Sequence, residues 1–442
     1  MHLVVLSALA GALLAAPLAC IPALHVYNVM GLMVAGLHFF AERGMTVPPE
    51  VATPFAAGMV VGYAMLNTLP SVLLAAPDES ALFTVLPGQK YLMAGRGYEG
   101  VMLTTLGGLA GLLALVLVVG PLGSRVLPPV FAVLRPHMHW IIWCVIAFVL
   151  MSEWPKGGRL GQGGWRRFFD SWKSTGAGLL TFLLSGLLGF VLLYRSPISA
   201  SAAFQNLMPG FVGLFALPWL VVNIISRVEP PPQTTALSAE LTLGEAGQGA
   251  AAGVLGGGFA AFFPVITGGV GGLLSGHATA IRGDRAFLIS QGASKVVYYV
   301  GALLLFFVPG LHAARGGAAA LLKGFYRPYS PFEYYAILAS IALAGAVTIV
   351  LVGPLTRGML WLIRRRSYRG LSSAALALVV VLVGVLTGGM GLAVMVVSAA
   401  IGLVPVLFGA RRMNGLGIIL LPVACNMSGV GSTVAGWLGL VR

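Results

Sequence analysis

Charged side chains are so sparse in this chain that they cut it into long uncharged stretches. The uncharged windows run 1–41, 51–77, 100–124, 136–152, 174–194, 196–226, 246–281, 296–314, 334–356, 370–410 and 413–441. A helix needs roughly 20 predominantly apolar residues to cross about 30 Å of hydrocarbon. Most windows therefore hold one crossing. Windows 1–41, 246–281 and 370–410 have room for two short elements each, which predicts about 11–14 membrane elements in all. The expected fold is all-α and polytopic, with proline-broken or re-entrant helices. No hydrophilic stretch is long enough for a soluble domain.

Composition agrees. The chain is 58% apolar and 9% charged, whereas a soluble domain carries about 25% charged residues. Such apolarity also excludes a disordered chain. Twenty-six Lys and Arg against twelve Asp and Glu give a net charge of +14, but the excess does not point to nucleic acid. Much of it falls in two short connections, as the positive-inside rule expects of cytoplasmic loops. One is 153–173, with Lys156, Arg159, Arg166, Arg167 and Lys173; the other is 357–369, with Arg357, Arg364, Arg365, Arg366 and Arg369. Both are expected to be loops facing the cytoplasm, in a multi-pass protein of the cytoplasmic membrane. Five windows lie between them, so one must cross twice or not at all. Window 246–281, glycine-rich and interrupted by Pro264, is predicted to be a hairpin or re-entrant element.

Cys20, Cys144 and Cys425 show no CxxC spacing and read as small core residues. The first charge after Met1 is Glu42, so the basic region of a signal peptide is missing and the first window is expected to stay in the mature protein.

The two halves resemble each other in order. Residues 11–29 align with 253–271, setting Gly11 over Gly253 and Pro22 over Pro264. The segment around Asp78 parallels that around Asp284, and LPWLVVN ending at Asn223 parallels LPVACN ending at Asn426. This pattern predicts a first membrane repeat at 1–226, a polar linker at 227–245 and a second repeat at 246–442. Duplicated halves with broken apolar segments at matching positions are the best pointer in a sequence to a transporter's binding site.

A proline inside a membrane helix frees backbone groups that must be buried in protein or face a cavity. The half-helix after the break offers free N–H groups and a positive dipole end to an anion. The candidate substrate-binding residues are therefore Pro22, His25 and Asn28 in the first copy and Pro264, Thr267, Gly268 and Gly269 in the second. Asn67 and Ser71, which with Thr68 surround Pro70, and Asn426, after Pro422, join them as polar groups near breaks. Gly268, Gly272 and Gly276 also form a small-residue stripe of the kind that packs helices.

Asp78, Glu79 and Asp284 are the candidate ion-coupling residues, because ionisable groups at membrane depth mark ion pathways. Asp78 is equally placed to cap the run from Ala81. Lys295, at a window's edge, is expected to snorkel to the interface. His137, His139 and His277 lack metal-ligand partners, so no metal site is expected. HExxH, GxSxG and GxxxxGK[ST] are absent from the sequence, and an enzyme is not expected.

CIPALHVYNV (20–29), TLPSVLLAAPDESALFTVLPG (68–88) with GRGYEG (95–100), and FFPVITGG (262–269) resemble the large permease subunit of the tripartite tricarboxylate transporters. The shorter, archaeal-type branch is the better match. The resemblance spans most of the chain in motif order. It covers Pro22, His25 and Asn28 of one motif and Pro70, Ser71, Pro77, Asp78, Glu79, Pro87 and Gly88 of another. Ala23 stands where the family has glycine, and the second proline motif lacks the PGxGP-like run of the long-form permeases. The resemblance implies a secondary carrier for organic anions such as carboxylates, with H⁺ or Na⁺ as coupling ion and no other cofactor. It also implies a small membrane subunit and an extracytoplasmic binding protein as partners; a homodimer is a further expectation. The alternative keeps the fold and changes the cargo: a translocase for a phosphate-bearing lipid carrier such as a polyprenyl phosphate, whose anionic head group suits a basic chain.

Overall fold

The structure, a computed structural model, describes residues 2–22, 24–157, 163–199, 205–237 and 240–441. Ala23 and Arg159 lie outside the described residues. Those described form helices and connections, with no strand among them. The chain opens with α1 (His2–Ala19), α2 (Val26–Ala41), α3 (Pro49–Leu66), α4 (Thr68–Leu73), α5 (Val85–Met93), α6 (Gly97–Leu113) and α7 (Gly120–Leu134). Then come α8 (Met138–Met151), α9 (Gly164–Tyr194), α10 (Met208–Phe211) and α11 (Leu217–Ser226). Past the linker lie α12 (Leu243–Phe262), α13 (Gly268–Ala278), α14 (Asp284–Phe307), α15 (Gly316–Lys323) and α16 (Pro331–Arg365). The chain ends with α17 (Tyr368–Phe408), α18 (Gly417–Met427) and α19 (Gly431–Trp437).

Among the described residues eight helical stretches are long and apolar enough to cross a membrane, and a ninth forms if α18 and α19, bent by 117°, make one broken span. Two of the eight exceed a single crossing. Gly97–Met151 is 55 residues, roughly 80 Å of helix at 1.5 Å per residue. Within α17 the backbone turns at Gly388, whose φ of 67° only glycine adopts freely, so window 370–410 does hold two elements.

The helices gather into two compact units, one from 1–135 and 223–375, the other from 136–222 and 376–442. In the first unit, α1 packs along α3, and α12 packs along α14. Both contacts are backbone-close. A Cβ at Gly11 would lie 2.1 Å from the Phe55 carbonyl oxygen, and one at Gly253 would lie 2.3 Å from that of Ser290. The paired glycines of the two sequence halves thus make the same contact on α3 and on α14. The best apolar windows of the α3–α4 stretch and of α14 are buried throughout, as expected of helices apolar on every side.

This pairing corrects one expectation. Helix α14 is the counterpart of α3, so Asp284, its first residue, answers to the start of α3 and not to Asp78. A second correction concerns the basic connections. Arg166, Arg167 and Lys173 lie in the first turns of α9, and Arg357, Arg364 and Arg365 in the last turns of α16, so the first segment is helical from Gly164 onward and the second is largely helical rather than a loop. Arginines at a helix C-terminus are favoured by its dipole, which lets α16 run on past its apolar window.

Window 246–281 forms two elements, α12 and α13, joined across Pro264. They pack together with the backbones of Gly256 and Gly271 in contact: a Cβ at Gly271 would lie 2.1 Å from the Gly256 oxygen. In the linker, Gln233 accepts from the Gly97 N–H at 2.9 Å and donates to the Leu92 carbonyl at 2.8 Å. The linker ends on a capping box formed by Thr242 and Glu245 at the start of α12.

In the second unit, α18 packs on α8 and α9. Glu153, buried beyond the end of α8, accepts from the backbone N–H of Arg411 and from Asn414 Nδ2. Tyr194 donates to Asn426, and Trp143 Nε1 donates to Ser428 Oγ at 2.8 Å.

Candidate functional site

The site forms where the two proline breaks meet α14. Helix α1 ends at Ala19, the chain turns through Pro22, and α2 starts with His25 as its N-cap. His25 Nδ1 accepts from the Tyr27 N–H at 3.1 Å. A backbone N–H can only donate, so the neutral ring carries its proton on Nε2. Nε2 lies 2.8 Å from the Tyr299 hydroxyl and 3.1 Å from Glu79 Oε1. Both ring nitrogens are thereby engaged within the protein.

Asp78 divides its two oxygens. Oδ1 accepts from the N–H groups of Ser80 (3.0 Å) and Ala81 (2.7 Å), which is the capping role. Oδ2 accepts from the hydroxyls of Tyr63 and Tyr299, each at 2.9 Å. Tyr63 in turn accepts from Asn67 Nδ2 at 2.5 Å. Asn67 Oδ1 accepts from Lys295 Nζ at 3.4 Å, and Thr68 Oγ1 accepts from the same ammonium at 2.7 Å. One hydrogen-bonded chain therefore runs from Lys295 through Asn67, Tyr63, Asp78 and Tyr299 to His25 and Glu79.

Burial gives this chain its electrostatic weight. Asp78 is 7% exposed and Glu79 5%, while Lys295, expected to snorkel, is only 3% exposed. Its position in the central helix α14 leaves the ammonium no path to an interface. The ligand atoms of His25, Asp78 and Glu79 lie within 4.8 Å of one another, and this is a group that could hold a metal ion among the described residues. At an effective dielectric of 20, two like charges that close repel by roughly 3.5 kcal/mol. A cation is therefore welcome. The Nε2–H tautomer, however, leaves that nitrogen no lone pair for a metal, so a metal here would have only the carboxylate oxygens of Asp78 and Glu79.

The second break reaches the same place. Pro264 and Val265 separate α12 from α13, and Val265 adopts a φ of 58°, a left-handed conformation that a β-branched residue holds only at a cost of about 1–2 kcal/mol. Thr267 caps α13. Ser294 Oγ donates to the Gly268 carbonyl at 2.6 Å, and a Cβ at Gly269 would lie 2.7 Å from the Ser80 carbonyl oxygen. The neighbours Glu79 and Ser80 thus touch the first and the second break respectively.

Of the candidates from sequence, the structure brings together His25, Asn67, Asp78, Glu79, Thr267, Gly268 and Gly269, with Pro22 and Pro264 at the breaks. Asn28 is buried in the first turn of α2. Ser71 is spent locally, its hydroxyl donating to the Asn67 carbonyl at 3.0 Å. Asp284 is not part of the cluster: its side chain is 43% exposed and pairs with Lys90 at 3.0 Å. Asn426 belongs to the other compact unit. Sequence reasoning missed Tyr63 and Tyr299 and misplaced Lys295, while Thr68, a polar neighbour of Pro70 like Asn67 and Ser71, was visible in it. Tyr63 stands one turn before Asn67, and Lys295 one turn before Tyr299, so extending the polar positions at i±4 would have found the tyrosines.

Fold and site together define a polytopic α-helical membrane protein with ionisable groups buried at paired helix breaks. A profile of the Tripartite tricarboxylate transporter TctA family matches residues 5–417. The chain belongs to that family, which is one of transporters working in tripartite systems with other subunits and a binding protein. It is 23% identical over 352 residues to an uncharacterized protein of Methanocaldococcus jannaschii, covering 79% of each chain. No solved structure matches it.

Proposed function

We propose that this chain is a secondary active carrier that moves a small organic anion of the carboxylate class across the cytoplasmic membrane, driven by protons. The observation that supports it best is the buried chain of hydrogen bonds linking the carboxylates of Asp78 and Glu79 to the ammonium of Lys295. It joins acidic groups able to take up a proton to a cation able to attract an anion. The family's tripartite organisation supports a binding protein that delivers the anion and a small membrane subunit beside this chain.

Vesicles from cells producing the protein with its partner subunits test the reading. An imposed pH gradient should drive uptake of at least one of citrate, succinate and lactate, and an ionophore that collapses the gradient should abolish it. Uptake that follows a Na⁺ gradient alone would reject proton coupling. Movement of a fluorescent polyprenyl phosphate between leaflets, with no carboxylate uptake, would replace the solute reading with the lipid one.

A further inference from the structure

Lys295 faces two neutral oxygens. Thr68 takes one of its three N–H donors at 2.7 Å, and the Asn67 contact, at 3.4 Å, is at the limit of a hydrogen bond. None of the ion pairs formed among the described residues includes it. A buried ammonium without a directly paired anion is costly, and a fold that keeps one needs a return for that cost.

One turn earlier on α14 stands Gln291, 2% exposed, whose amide nitrogen and oxygen both lack a hydrogen-bond partner. Buried amides are nearly always bonded. Its Nε2 lies 2.8 Å from where a Cβ at Gly272 would stand, so it faces the bare backbone of α13. Lys295 lies against Gly268 of the same helix: a Cβ there would be 3.0 Å from the Lys295 Cα. Residues 291 and 295 share a face of α14. Gln291 thus faces α13 with its amide, while the Lys295 backbone lies against the start of α13 and its ammonium reaches Asn67 and Thr68, so two side chains with unmet bonding capacity stand one turn apart on α14 beside the second break.

We infer that Lys295 and Gln291 form the anion subsite of this carrier, with Lys295 supplying the charge that pairs with a carboxylate and Gln291 an amide donor beside it. The inference rests on the anion-carrier reading and refines it. The anion is held at the second proline break, while the first is already occupied by the protein's own Glu79 against His25. The glycines of α13 keep its contact with α14 narrow and free of side chains, which suits a small carboxylate. Occupation replaces the long Asn67 contact of Lys295, so binding is felt at once by the chain leading to Asp78.

The test reads binding rather than transport. The purified protein is heated with acetate, lactate, succinate or citrate. At least one should raise the unfolding temperature of the wild type at millimolar concentration. Lys295→Met and Lys295→Gln should unfold no lower than the wild type without anion, since each removes a buried charge, and should need at least tenfold more anion for the same shift. Gln291→Leu should weaken the response less. Failure of all four anions to stabilise the wild type, or an undiminished response in a folded Lys295 variant, would overturn the inference. Should both Lys295 variants fail to fold, an undiminished response in Gln291→Leu overturns it and a weakened one upholds it. A failure of proton coupling would appear elsewhere, as gradient-independent uptake with this binding response intact.

Discussion

The hydroxyl of Tyr63 donates to Asp78 Oδ2 over 2.9 Å while accepting from Asn67 Nδ2. Through it a carboxylate following α4 is connected to Lys295 on α14, although the two charged groups share no direct bond. The link has only hydrogen-bonding members, so a change of charge at either end alters which groups donate and which accept along it.

Asp78→Asn separates capping from coupling. The asparagine oxygen can accept from Ser80 and Ala81 as the aspartate does, and Asn caps about as well as Asp. The cap should therefore survive, and the unfolding temperature should fall only by the loss of the acceptor that Oδ2 offers to Tyr63 and Tyr299. Uptake driven by a pH gradient should be lost, while exchange of labelled for unlabelled anion persists, because exchange need not return the empty carrier. Wild-type accumulation by the variant would leave Asp78 as a cap and nothing more.

Tyr63→Phe removes one hydroxyl from the centre of the chain and retains the ring. Loss of one buried bond typically costs about 1–3 kcal/mol, and Asn67 loses an acceptor as well. The expected result is anion binding close to wild type with fewer protons moved per anion, read from pH changes in weakly buffered vesicles. An unchanged proton-to-anion ratio would exclude this route of coupling.

His25→Ala deletes the N-cap of α2 and the partner of Glu79. Cap loss alone is worth about 0.5–2 kcal/mol, so thermal unfolding should shift down. His25→Asn should recover the cap share of that loss and leave the share due to Glu79. Equal stability of both variants with the wild type, by thermal melts in detergent, would mean that neither contact contributes.

Cysteines placed singly at Gly157 and Ser367, in a background without Cys20, Cys144 and Cys425, test the orientation. Both positions adjoin the basic segments expected in the cytoplasm. An impermeant thiol reagent should reach neither in intact cells and both after permeabilisation. Labelling of one site in intact cells would set the two basic segments on opposite sides.

The membrane crossings and the helix breaks are legible in the sequence itself. Uncharged windows demand membrane helices because hydrocarbon tolerates little else, and that requirement acts on each segment by itself. Pro22, Pro264 and the paired glycines Gly11 and Gly253 are visible for the same reason, since each acts on its own stretch of backbone. Asp78 and Glu79 stand out because acidic residues are scarce in this chain.

What the sequence alone could not determine is which faces meet. Tyr63 and Tyr299 are counted among the apolar residues of the composition; only the packing of α3 and α14 around the first break makes them donors to Asp78. Lys295 lies at the edge of an uncharged window and would reach water if α14 lay at the periphery, but α14 is enclosed by α3, α6 and α12. Asp284 looks equivalent to Asp78 by its neighbours, and helix correspondence places it elsewhere. Local chemistry determined the breaks and the crossings. Tertiary packing decided which buried charges share one hydrogen-bonded chain, because burial and partnership belong to surfaces brought together from distant parts of the sequence.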